Sequence, residues 1–146
     1  MNRSFLSRIL VIALAATVCL ASVSYISAQV KQGKTRALKT KQLMKGVVKP
    51  NCEAIKKALD NAPADDKAWE ELALNAALLN EASYSLMDDG RCPDGTWADA
   101  ATKALRGGSA EIIGAIEKKD LAAVKAGFGN MTKACKACHD AHREKK

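Results

Sequence analysis

Between Thr35 and His142 apolar residues recur every three to five positions, the spacing that gathers them on one face of an α-helix. From Thr35 to Asn61 the stripe is Leu38, Leu43, Val47, Cys52, Ile55 and Leu59. Pro50 interrupts it, removes one backbone donor and predicts a kink near Gly46. NAPADD breaks the pattern. Asp65 or Asp66 is then placed to cap a second helix, which reaches about Met87 with Trp69, Leu72, Ala76, Leu79, Ser83 and Leu86 on one side. DDGRCPDGT reads as a loop. Thr96 is expected to cap a third helix whose Trp97, Ala101, Leu105, Ile112 and Ile116 point inward. Gly107 and Gly108 either weaken its middle, by roughly 1 kcal/mol each, or let another backbone or a ligand come close. Asp120 opens a fourth helix carrying Leu121, Val124, Phe128, Met131, Cys135, Cys138 and His142.

Alternating β-type runs are absent. Four helices of about 24 residues, each some 36 Å long and joined by short loops, predict an all-α, antiparallel up-down-up-down four-helix bundle. In that topology helix one starts, and helix four finishes, at the same end.

Ahead of the bundle stands MNRSFLSRILVIALAATVCLASVSYISAQ, with Arg3 and Arg8, an apolar run from Ile9 to Ala21, then small and polar residues. That layout is a secretory signal peptide, with cleavage expected after Ala28 and residues 29–146 as the folded domain. An uncleaved anchor is the competing reading, since Phe5 to Ile26 approaches the length of a membrane span; Thr17, Ser22, Ser24 and Ser27 dilute the run. Cys19 follows Val18, a poor fit to a lipoprotein signal. Both readings export the folded part, and cleavage leaves it in the periplasm without a membrane span. Its 118 residues suffice for one compact domain with a real core. Removing Arg3 and Arg8 leaves 21 basic against 16 acidic residues, a net charge of +5. With no dense arginine stripe and few aromatics, nucleic-acid binding is not expected.

The chemistry is concentrated in CKACHDAHR, residues 135–143. In a c-type haem site two thiols bond to the porphyrin vinyl groups and the histidine after the second coordinates iron, and Cys135, Cys138 and His139 have that spacing. Export agrees with this reading. Zinc would need Cys135, Cys138, His142 and a fourth ligand, although tetrahedral sites usually draw ligands from two separate elements. A dithiol redox pair usually sits at a helix start after a strand, where the dipole lowers a thiol pKa; this pair lies deep in a final helix. Haem fits best. Cys52 and Cys92 remain, an even count that in an oxidising compartment suggests a disulfide between helix one and the loop after helix two, with free buried thiols as the alternative. Such a bridge would close about 40 residues and add roughly 3–4 kcal/mol in the chain-entropy model.

A Cys-x-x-Cys-His motif on the last helix of an exported four-helix bundle resembles the class II c-type cytochromes, which include the cytochromes c-prime and their low-spin relatives. The resemblance spans about Lys34 to Lys146 and implies one covalently attached haem c in a non-enzymatic protein. His142 stands where the family motif has an aromatic residue, and Arg143 matches the arginine after it. Lys41 is the nearest match to a basic residue that meets a propionate, with His142 and Arg143 as further haem-edge or propionate contacts. Met44 resembles the distal iron ligand of the low-spin members, and Met87 is the reserve. The expected function is therefore a low-spin one-electron carrier with His139 and Met44 as the iron ligands; the alternatives are a five-coordinate cytochrome c-prime that binds NO or CO, and a zinc-bound structural domain. The resemblance also makes a homodimer through helices one and two possible. Redox partner proteins are implied, and the lysines in KTKQ and HREKK suit an acidic one.

Overall fold

The computed structural model describes residues 33–143, so the expected leader, its cleavage point and the last three residues lie outside the described part. Helices account for most of it, and no strand forms among the described residues.

α1 runs through Thr40–Leu43, a π-helical turn at Met44–Val48, and Lys49–Asp60. Pro50 explains the turn. It has no N–H and its ring crowds the carbonyl four residues earlier, that of Gly46, so the regular ladder cannot continue. The chain widens instead: the Lys49 N–H reaches back five residues to the Met44 carbonyl. The expected break near Gly46 is therefore a change of register within a continuous rod. Leu43 and Ile55 are buried, while Leu38 is 47% exposed and belongs to no core stripe, because it lies ahead of the helix.

α2 is Asp66–Met87, capped by Asp65, whose carboxylate accepts from the Ala68 N–H at 2.8 Å. Leu72, Ala76, Leu79, Ser83 and Leu86 are buried as expected, and Trp69 is half-buried. α3 comprises Gly95–Asp99, a second π-helical stretch Ala100–Gly107, and Gly108–Glu117. Its cap is Asp94, accepting from the Trp97 N–H at 2.9 Å, and not Thr96. The helix begins at Gly95, so Thr96 already lies inside its first turn and the cap falls to the carboxylate two residues earlier. α4 is Leu121–His142, opened by Asp120, which accepts from the Ala123 N–H at 2.9 Å.

The core forms from the inner faces of all four helices, around Ile55, Leu79, Trp97, Ile112, Val124 and Met131. The close approach that Gly107–Gly108 allowed is realised between α3 and α4: a Cβ on Gly108 would lie 2.9 Å from that of Met131. α1 packs on α2, α2 on α3, and α3 on α4, whereas α1 and α4 scarcely touch.

Side chains tie the ends together. Lys119 pairs with Asp66 at 2.6 Å, bringing the α3–α4 connection to the start of α2. At the other end Arg91 is 1% exposed, and its guanidinium donates to the Ser85 carbonyl (2.9 Å) and the Leu38 carbonyl (2.6 Å). Trp97 Nε1 donates to the Leu86 carbonyl at 2.7 Å, and the Trp97 ring meets that of His142 edge-on. The start of α1, the end of α2, the start of α3 and the end of α4 thus gather in one place.

Candidate functional site

Cys135, Cys138 and His139 ride on the last turns of α4, at the gathered end. Three positions apart on a helix, the two thiols lie one turn from each other on adjoining parts of the same face. Cys138 is buried, Cys135 half-buried, and His139 points outward. No hydrogen bond or ring contact engages the His139 imidazole among the described residues. Partial burial, and after it the neighbouring Arg143 charge, lower its pKa and favour the neutral ring, the form that coordinates a metal.

The four bundle cysteines are free thiols. The expected Cys52–Cys92 bridge is absent from this structure. Each residue keeps company with a different member of the motif. Cys52, on α1, feels the charge of Cys135; Cys92, in the loop, is felt by Cys138 and directs its own Sγ to the Asp94 carbonyl at 3.4 Å. Burial is the main reason that Cys52 and Cys138 are both pushed up to about 11, and it raises Cys135 as well. Thiols held protonated are the reverse of what a dithiol redox centre requires.

The zinc reading also meets a different geometry. Among the described residues no three Cys, His, Asp or Glu side chains converge on a point that could hold an ion. His142 is engaged elsewhere: its Nε2 lies 3.2 Å from Asp94 Oδ1, its ring centroid 5.6 Å from that of Trp97, and its side chain is only 13% exposed. Asp94 serves two helices, capping α3 and holding the end of α4. The Trp97 amide, and after it the His142 ring, keep its carboxyl below the usual range. Nothing in the sequence spacing announces this pair, 48 residues apart; Asp94 lies in the stretch that reads only as a loop.

Arg143 is exposed at the α4 C-cap, where its N–H donates to the His139 carbonyl at 3.0 Å. Lys41 is exposed on the first turn of α1. Met44 is half-buried and opens the π-helical turn, and Met87, ending α2, is half-buried too. A groove of about 570 Å³ follows the seam between α1 and α4, from Cys52 and Thr132 past Phe128 and Leu59 to Asp60 and Lys125. It lies on the far side of Cys52 from the motif, so the seam is open beyond the motif's own level.

Two free thiols a turn apart, with an imidazole beside them that nothing engages among the described residues, form the donor set that a c-type haem uses in a helical bundle. The donor chemistry fits the group. The family model "Cytochrome C'" matches residues 36–143, and the chain belongs to the cytochrome c′ family, the class II c-type cytochromes, whose cofactor is one covalently attached c-type haem. A cytochrome c′ from Alcaligenes xylosoxydans xylosoxydans is 38% identical over 55 residues, which cover 34% of this chain and 43% of the relative. The match thus spans less than half the length of that relative. No solved structure matches. No described helix is long and apolar enough to cross a membrane.

Proposed function

We propose that this is an exported cytochrome of the c′ type, in which Cys135 and Cys138 carry the thioether bonds and His139 is the proximal iron ligand. In this reading the site opposite His139 is open, so the protein can carry single electrons or bind a small gas such as NO or CO. The imidazole of His139, unengaged among the described residues and directly after two free thiols, carries the proposal, set within a family match that spans most of the chain. When bound, the haem would supply the iron redox couple and the metal centre for a small gas. The chain supplies orientation and burial: α4 presents both sulfurs and the imidazole from one rigid element, while Leu43, Met44, Val47 and Val48 shield the start of α1 from water. The end-to-end contacts support the up-down-up-down topology, because helix ends meet helix starts at the Arg91, Trp97 and Asp66 contacts. The leader pattern supports periplasmic delivery. Leu74 and Leu78, exposed on α2, support dimerisation on that side.

A second reading makes Met44 the distal ligand and the protein a low-spin electron carrier. It is favoured by the place of Met44, half-buried near the start of α1, at the end of the bundle where α4 presents the motif.

The visible spectrum of the reduced protein, with and without CO, decides between them. A broad high-spin band that shifts with CO, unaltered in Met44→Ala, supports the open site. A sharp, split band indifferent to CO, lost in Met44→Ala, transfers the assignment to Met44 ligation. A colourless mature chain at bare polypeptide mass, made in a host competent in cytochrome maturation, overturns both.

A further inference from the structure

Charge is distributed unevenly around the bundle. α1 and α4 together carry eight lysines and three acids, while α2 and α3 carry three basic residues and seven acids. Because α1 and α4 flank the open seam and α2 and α3 pack behind it, the molecule is positive on the seam side and negative on the other. Internal pairing sharpens the contrast. Two of the three seam-side acids are already engaged, Glu53 by Lys49 and Asp140 by Lys136. Lys41, Lys45, Lys56, Lys125 and Lys133 are exposed, with no ion pair among the described residues.

We propose that the α1–α4 face docks an acidic partner protein over the seam. A dipole across the bundle turns the molecule before contact and raises the encounter rate, and complementary charge selects the partner's face. As a docking surface for electron exchange it rests on the haem reading, which puts the cofactor beside the same seam. The side chains favour a protein over a lipid surface. The large exposed apolar residues among those described are Leu38, Leu74, Leu78 and Tyr84, all outside α1 and α4. A helix that lies in a membrane interface inserts such residues beneath its lysines. This face has the lysines alone.

The test titrates the mature, haem-loaded protein with poly-L-glutamate, followed by backbone amide shifts. Shifts confined to α1 and α4, erased by moderate salt and weakened about tenfold by Lys45→Glu with Lys133→Glu, support the proposal, provided Glu70→Lys with Glu71→Lys on α2 does not weaken binding. Shifts spread over α2 and α3, or equal losses from both pairs of reversals, overturn it. Tighter binding to phosphatidylglycerol vesicles than to the polypeptide reassigns the face to a membrane, and salt-sensitive self-association through it reassigns it to a second copy; either result overturns the acidic-partner proposal. The haem band is recorded on the same sample. Its absence sinks the haem reading, while the amide shifts still score the surface separately.

Discussion

Replacing Gly108 by alanine tests whether the α3–α4 contact is as close as it looks. In an ordinary helix interior the change stabilises, since alanine is favoured over glycine by about 1 kcal/mol. Here the new Cβ would lie 2.9 Å from Met131 Cβ and 3.0 Å from Met131 Cγ. Met131 is 2% exposed and cannot swing into water. Either α4 retreats or Met131 leaves its rotamer, and overpacking of that kind costs roughly 1–3 kcal/mol. Set against the helix gain, the net loss is about 1 kcal/mol. Gly114 provides the control on the same helix: a Cβ there meets nothing within 4 Å, so Gly114→Ala collects the gain alone. For a domain of this size 1 kcal/mol moves the melting midpoint by about 4–5 °C. Thermal melts of the haem-loaded variants, followed by far-ultraviolet circular dichroism, should therefore move in opposite directions, with the two midpoints about 8–10 °C apart. Because Met131 is one turn before Cys135, Gly108→Ala should also disturb the Soret circular dichroism. Equal stabilisation by both alanines, with the Soret signal unchanged, would refute the close contact.

Three other outcomes follow from named contacts. Arg91→Ala should cost about 2–4 kcal/mol in denaturant unfolding, because the Ser85 and Leu38 carbonyls lose their buried donors; Arg91→Lys should not restore stability, since one ammonium cannot span both acceptors as the planar fork does. The Arg36 amide, and with it the Thr35 amide and hydroxyl, hold the Asp89 carboxyl below its ordinary 3.8. A depressed carboxyl contributes above its unfolded value and loses that contribution as pH falls through the folded one, so amide exchange at Thr35 and Arg36 should accelerate only below about pH 3.8, and acceleration already at pH 5 would contradict the clamp. Cys52, raised by burial, then by Cys135 and Glu53, from 9.0 to about 11, should alkylate about a hundredfold more slowly than a free thiol at pH 8 in the haem-free chain; in the loaded protein, with Cys135 a thioether, the lag should shrink but keep its sign.

Local chemistry made most of the helical plan readable. Asp65 and Asp120 announced their helices because a carboxylate ahead of an apolar stripe has few other uses, and the buried residues of α2 and α3 followed directly from helical spacing. Thr96 misled because two capping residues stand close together, and only the path of the loop decides for Asp94. Arg91 misled for a different reason. Within DDGRCPDGT it looks like solvated loop, and its burial depends on carbonyls from two other segments. The pairing of His142 with Asp94 and Trp97, and the separate neighbours of Cys52 and Cys92, depend on how helices sit side by side, which periodicity along one helix does not encode. The haem motif itself was plain, since three reactive groups in five residues need no tertiary information. Which residue of α1 lies opposite them does need it.

The widened turn at Met44–Val48 has a consequence for chain length. A five-residue hydrogen-bonded step accommodates one residue more than the ordinary ladder, so α1 stores a spare position ahead of Pro50. A relative lacking Pro50 can drop one residue here and keep the rest of the rod, and both of its ends, in place. Alignments within the family should therefore find single-residue gaps in this stretch, inside a helix, where gaps are otherwise rare.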